Sequence, residues 1–320
     1  MTKRRLGKTD IEITPIGLGC WQFSQGQGVA GRFWGTLPDA AIRSVVEAAL
    51  GAGIGWFDTA EAYGNGRSEQ MLSAALQSAG IRPGAVVIAT KWMPWMRTAK
   101  SIGATFGRRT QCLDPYPIDL HQVHQPASFS PIPVQMREMA ALVKAGRVRS
   151  VGVSNFNARQ MEAAHAALAA LGIPLASNQV RYNLVDRRIE HNGVLESAKR
   201  LGITIIAYSP LAQGILTGRF HEDPQAMRTT TGMRRMMNRL GPRTLERTRP
   251  LVDELRAIAR AHGATPAQIA LAWQTTFHGD TIVAIPGASR PAQAEQAAGA
   301  GELRLSDRER SRIDELSRAR

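Results

Sequence analysis

Eight short apolar runs punctuate the chain, beginning near residues 16, 54, 86, 118, 148, 175, 203 and 281, and stretches with helical spacing separate them. Runs this short suit strands buried on both faces, with the helices packed outside them. The helical patterns cover 38–52, 67–79, 100–113, 131–145, 157–171, 190–201, 248–262, 266–275, 291–299 and 306–318; in the first of them, Ile42, Val45, Val46 and Leu50 carry the period. Ahead of the repeat, Arg5-Leu6 and Ile11-Glu12-Ile13 flank Gly7-Lys8-Thr9-Asp10, a hairpin pattern. Eight strands with intervening helices predict an α/β fold, a (β/α)8 TIM barrel with an N-terminal β-hairpin. The competing architecture is a doubly wound open sheet. It is disfavoured because Gly17-Leu18-Gly19 leads into Cys20-Trp21-Gln22-Phe23, which neither completes a Gly-x-Gly-x-x-Gly loop nor starts a helix. No linker or composition break divides the 320 residues, so a single domain spanning 1–320 is expected.

A basic balance of +14 raises the question of an anionic partner. The densest stretch, Arg219 to Arg249, contains Arg228, Arg234, Arg235, Arg239, Arg243 and Arg247, without interleaved aromatics. It reads as a solvated face, with a lid over an anionic ligand as the alternative, and no nucleic-acid partner is expected. The surrounding segment 208–247 follows the seventh run; irregular segments of that length are commonly functional. Cys20 and Cys112 offer neither a disulfide framework nor metal-ligand spacing, which suits a reducing, cytoplasmic setting. Neither a signal peptide nor a membrane span is expected.

Polar residues stand where three successive apolar runs end: Asp58 after Gly55-Trp56-Phe57, Lys91 after Val86 to Thr90, and His124 after Ile118 to Val123. Tyr63 follows Asp58 by five residues and leads into Gly64-Asn65-Gly66. In a parallel barrel those strand ends share one rim. An aspartate at a buried strand end requires a partner, and Lys91 is the candidate. A tyrosine beside an ammonium could serve as an acid to a carbonyl oxygen. At ~4 Å and an effective dielectric of ~20 the attraction is roughly 4 kcal/mol, about three pKa units of phenol stabilisation at most. His124 could orient the carbonyl oxygen. His121 falls on the opposite face of its strand from His124, which argues against a metal pair; Leu120 and Gln122 share the face of His124.

The ordered segments Phe57-Asp58-Thr59-Ala60-Glu61-Ala62-Tyr63-Gly64, Thr90-Lys91, Ile118-Asp119-Leu120-His121-Gln122-Val123-His124, Val151-Gly152-Val153-Ser154-Asn155-Phe156, Asn178-Gln179, Ala207-Tyr208-Ser209-Pro210-Leu211 and Ile285-Pro286-Gly287-Ala288 resemble the aldo-keto reductases over nearly the full length. The resemblance implies reduction of a small-molecule aldehyde or ketone by NADPH, with Asp58, Tyr63, Lys91 and His124 as the catalytic set and Tyr63 as proton donor. It implies that Ser154, Asn155 and Gln179 hold the nicotinamide carboxamide. Tyr208 would stack on the ring, and Ser209, Leu211 and Gly214 would line the pyrophosphate. Gly287, Ser289, Arg290 and Gln293 would lie at the adenosine end. Two departures bear on cofactor choice: Ser289 occupies the family's usual basic slot, with Arg290 next to it, and Gln296-Ala297 replaces the usual Glu-Asn. NADH therefore stays open as a cofactor. Trp21, Trp34, Trp92, Trp95 and segment 208–247 are the candidates for shaping the substrate site. A monomer or weak oligomer is the expected state, and a non-catalytic cofactor-sensing subunit is the alternative function.

Overall fold

The computed structural model describes residues 1–28, 33–227, 230 and 240–318. Strands β1 (Arg4–Arg5) and β2 (Glu12–Ile13) form the expected antiparallel hairpin. Eight parallel strands follow: β3 (Leu18–Gly19), β4 (Trp56–Asp58), β5 (Val87–Trp92), β6 (Leu120–Val123), β7 (Ser150–Ser154), β8 (Leu175–Arg181), β9 (Thr204–Tyr208) and β10 (Ile282–Ala284). They pair in sequence order, and bridges Ile16–Ala284 and Gly19–Gly287 join the last strand to the first. The sheet thus closes as the predicted TIM-type barrel, and the helices ring it, with helix Pro291–Gly299 packed back on helix Asp39–Gly51.

Alternation along each strand sorts the side chains into two cores. Outward residues such as Phe57, Ile88, Val123 and Val153 pack with the helices. Inward residues Trp56, Ala89, Leu120, Ile206 and Val283 meet Leu6, Ile11 and Ile13 of the hairpin, which plugs the lower end of the barrel. The plug fits closely: a Cβ on Gly7, whose φ is +57°, would lie 2.5 Å from the Ala176 carbonyl oxygen. One inward step further along β4, β5 and β6 the apolar layer gives way to Asp58, Lys91 and Gln122.

Three elements differ from expectation. The helix expected at 248–262 spans Pro242–Ala261. Pro250 reads as a helix start because it lacks an N–H, but Leu245 and Thr248 are buried with Leu251, Val252 and Leu255 and carry the helix back past it. The helix expected at 190–201 is shortened to Val194–Leu201, behind a 3-10 turn Arg188–Glu190, because Gly193 adopts φ +82°. Segment 208–247 contains turns and short helices at Ala212–Thr217, Arg219–Glu222 and Pro224–Met227. Within it, Arg228, Arg234, Arg235 and Arg239 lie outside the described residues, whereas Arg243 and Arg247 sit on the helix from Pro242.

Candidate active site

Asp58 and Lys91 are 1% and 0% exposed, so their charges have to be met inside the protein. The Lys91 ammonium lies 2.5 Å from Asp58 Oδ1 and donates to the Thr59 carbonyl at 2.8 Å. Asp58 Oδ2 accepts from Gln179 Nε2 at 2.8 Å and from Gln122 Nε2 at 3.2 Å. The carboxylate is therefore saturated by groups from three other strands. Burial lowers the Lys91 pKa, with Asp58 opposing the shift.

Tyr63 stands above this pair at the end of a tight turn. Its backbone N–H bonds the Ala60 carbonyl at 3.0 Å. The turn closes through Gly64, at φ +68°, where a Cβ would fall 2.4 Å from the Ser24 carbonyl oxygen. The Lys91 ammonium is 5.0 Å from the centre of the Tyr63 ring, and the His124 ring meets Tyr63 edge-on at 5.6 Å. All four expected side chains thus converge. His121 faces outward against Phe106, and Leu120 and Gln122 face inward.

The expected depression of the Tyr63 pKa is not what the structure gives. Burial pushes the phenol well above its usual value, and the charge of Asp58 adds to the effect. Lys91 cannot reverse this because its charge is largely neutralised by Asp58 in contact with it. Tyr63 is accordingly a fully protonated acid in the protein alone. Burial, followed by the Lys91 charge, lowers His124 to about 3, so its imidazole is neutral at physiological pH.

A cavity of 1080 Å³ opens over this layer. Asp58, Tyr63 and His124 line it, while Lys91 lies beneath. Ser154, Asn155, Gln179, Tyr208, Ser209, Leu211, Gly214, Gly287, Ser289, Arg290 and Gln293 all line the same cavity. Several of them already hold one another in place. Ser154 Oγ donates to the Gln179 carbonyl at 2.8 Å, and Tyr208 Oη donates to Asn155 Oδ1 at 3.0 Å. Gln293 Oε1 accepts from the backbone N–H groups of Ser289 and Arg290 at 2.8 and 3.2 Å, fixing the turn before helix Pro291–Gly299.

A family model described as the aldo/keto reductase family matches residues 15–318. The chain belongs to that family. It is 37% identical over 316 residues to an uncharacterised oxidoreductase of Mycobacterium tuberculosis, covering 96% of this chain and 90% of the relative. It is 31% identical over 321 residues to the chloroplastic pyridoxal reductase of Arabidopsis thaliana, covering 95% and 83%. A thermostable aldo-keto reductase crystallised with the inhibitor epalrestat superposes with a TM-score of 0.77 at 29% identity, covering 99% of this chain and all of that one. This reductase is therefore an NAD(P)H-dependent oxidoreductase of TIM-barrel fold.

In this reductase the four tryptophans proposed to shape the substrate site divide. Trp21 and Trp34 line the cavity, whereas Trp92 is 1% exposed and packs in the outer core, its Nε1 donating to Ser101 at 3.1 Å. Trp95 projects into solvent at the rim. Arg219, which opens the stretch read alternatively as a lid over an anionic ligand, lines the cavity too, and so do Arg256 and Arg260, which lie beyond that stretch and have no site role in the sequence reading. Their signal was diluted: they are scattered in and beyond an Arg-rich stretch, and only the fold brings the C-terminal end of helix Pro242–Ala261 to the loops after β9 and β10. Among the described residues, no helix is long and apolar enough to cross a membrane.

Proposed function

We propose that this reductase transfers hydride from NADPH to an aldehyde or ketone, with Tyr63 donating the proton to the carbonyl oxygen. The reading is carried by the convergence of Asp58, Lys91, Tyr63 and His124 under one wall of a dinucleotide-sized cavity.

The cavity suits the cofactor. Gly214 adopts φ +100°, which favours glycine, and Gly287 leaves its share of that wall to the Gln22 amide, which a Cβ there would displace. Arg219, Arg260 and Arg290 supply cations from the β9 and β10 side. When bound, the cofactor supplies the hydride. Ser154, Asn155 and Gln179 would hold its carboxamide, and Tyr208 would stack on its ring. Ser209, Leu211 and Gly214 would line the pyrophosphate. Arg290, beside Ser289 and Gln293, would meet the 2′-phosphate, since a guanidinium suits that anion.

The protein's own groups do the rest. Neutral His124 donates a hydrogen bond to the carbonyl oxygen and fixes its position. Tyr63 gives its proton as negative charge develops there, because an alkoxide is a far stronger base than a phenolate. The Lys91 ammonium, 5.0 Å from the ring centre, offsets the resulting phenolate charge only by the part of its own charge that Asp58 leaves uncancelled.

Following NADPH oxidation against a panel of carbonyl compounds tests the reading. Carbonyl-dependent consumption is expected; tight NADPH binding without turnover of any aldehyde or ketone would contradict it. A separate fluorescence titration addresses cofactor choice. Arg290→Ala should weaken NADPH binding roughly 10-fold or more, the worth of a charge-assisted contact, and NADH binding much less. Equal losses for both cofactors would remove Arg290 from phosphate recognition.

A further inference from the structure

We propose that Asn183 is a positioning residue for the cofactor: by holding the Ser209 carbonyl it sets the corner after β9 that receives the nicotinamide half of the dinucleotide. The inference rests on the reductase reading above and adds a residue that acts on that site from outside the cavity.

The corner needs to be held. Strand β9 ends at Tyr208, and the chain then turns through Ser209 at φ +50°, Ala212 at +48° and Gln213 at +58°. Left-handed backbone is unfavourable for residues with a Cβ unless the surroundings fix it. Here side chains do so. Tyr208 Oη donates to Asn155 Oδ1 at 3.0 Å, and Gln213 Nε2 donates to Ser209 Oγ at 2.9 Å. The Ser209 carbonyl accepts from the Ala212 N–H at 3.0 Å and from Asn183 Nδ2 at 2.9 Å. The first of these bonds is internal to the corner; the second ties the corner to the loop after β8.

Asn183 is itself immobilised. It is fully buried and is not among the residues that line the cavity. Its Oδ1 accepts from the Val185 and Asp186 N–H groups at 2.9 and 2.8 Å, an Asx-type turn, and its backbone exchanges two bonds with Asp186 at 3.1 and 2.9 Å. On one side, Tyr182 Oη donates to Glu190 Oε1 at 2.6 Å, and the Tyr182 carbonyl accepts from Gln274 Nε2. On the other, Arg187 grips Glu190 at 2.6 Å and Asp314 of the last helix at 2.7 Å. The Asn183 carboxamide thus shapes its own loop with its oxygen and holds the next loop with its nitrogen, a pairing that needs both an acceptor and a donor. A corner fixed in advance saves the cost of ordering it when the dinucleotide enters, which raises affinity. The effect belongs to the Tyr208–Ser209 side, because the Ser289–Arg290 turn is fixed separately by Gln293.

The test is calorimetric titration of the purified protein with NADPH and with adenosine 2′-phosphate, which carries only the adenosine end. Asn183→Ala should raise the Kd for NADPH about 10-fold and that for adenosine 2′-phosphate by less than about 2-fold. Asn183→Ser keeps a local acceptor for the Val185 and Asp186 N–H groups but ends short of the Ser209 carbonyl. It should show the same selective loss, with a denaturation midpoint nearer the wild type. Ser73→Ala removes a bond of the same kind, to the Asp114 carbonyl at 2.6 Å, away from the cavity, and should leave both affinities unchanged. Equal weakening of both ligands, or wild-type NADPH affinity in Asn183→Ser, would overturn the proposal. Failure of both Asn183 variants to fold would make Asn183 a residue of the fold alone and overturn it too. Failure of the wild-type protein to bind either NADPH or NADH would sink the reductase reading instead.

Discussion

Asp58 meets three donors with its two oxygens, and that saturation explains why a lysine can be wholly buried beside it. Asp58→Asn would leave the Lys91 ammonium inside the barrel without its counter-charge. The expected loss is about 3–5 kcal/mol of stability, measured by chemical denaturation. A second buried pair lies behind β5. Glu69 is fully buried, contacts Arg109 at 2.8 Å and accepts from Thr90 Oγ1 at 2.6 Å, one residue before Lys91. Burial raises its pKa from 4.5 to about 7, against the opposing effects of Arg109 and Thr90. The folded protein thus holds this proton more tightly than the unfolded chain. The contribution is full below pH 4.5 and is lost as pH rises through about 7. It is worth about 3 kcal/mol across that window. Glu69→Gln cannot ionise, so the unfolding free energy of the variant relative to wild type should shift in its favour as pH rises through the window. A constant difference would show that Glu69 is ionised throughout. The positions of Asp58, Lys91 and His124 were legible in the sequence because strand ends share a rim. The direction of the Tyr63 shift was not, because it depends on how completely the surrounding protein excludes water, and the same is true of the burial of Trp92.

Helices with explicit end signals fell where the spacing placed them. Helix Ala158–Ala169 has Asn157 as its cap, with Asn157 Oδ1 accepting from Gln160 N at 2.9 Å and Gln160 Oε1 accepting in turn from Asn157 N at 3.0 Å. Helix Pro266–Thr276 uses Thr265 and Gln268 in the same reciprocal way. Thr265→Ala should cost about 1 kcal/mol, seen as a lower denaturation midpoint with an unchanged slope. A neutral substitution would mean that tertiary packing alone holds this end. Where local signals and packing disagree, packing prevails: Pro250 lies inside a 20-residue helix whose buried face runs continuously past it. Most strands are offset from the apolar runs by a residue or two, because the runs record burial whereas the ladder records pairing.

Closure of the barrel gives these parts a common geometry. Parallel strands bring their C-terminal ends to one rim, the hairpin seals the other end, and the cavity forms between an aromatic wall and an arginine-bearing one. The fold was legible because eight apolar runs with intervening helices admit few alternatives. The arginine wall was not, since Arg219, Arg260 and Arg290 come from separate segments that share one side of the cavity only where β9 and β10 pair. The central claim is that the phenol over the Asp58–Lys91 pair delivers the proton. The most direct measurement is NADPH binding and single-turnover reduction of one accepted aldehyde by wild type and Tyr63→Phe. Binding should stay within about 3-fold, less than the worth of one neutral hydrogen bond, while the reduction rate falls about 10²- to 10⁴-fold. Reduction by the variant at the wild-type rate would contradict it.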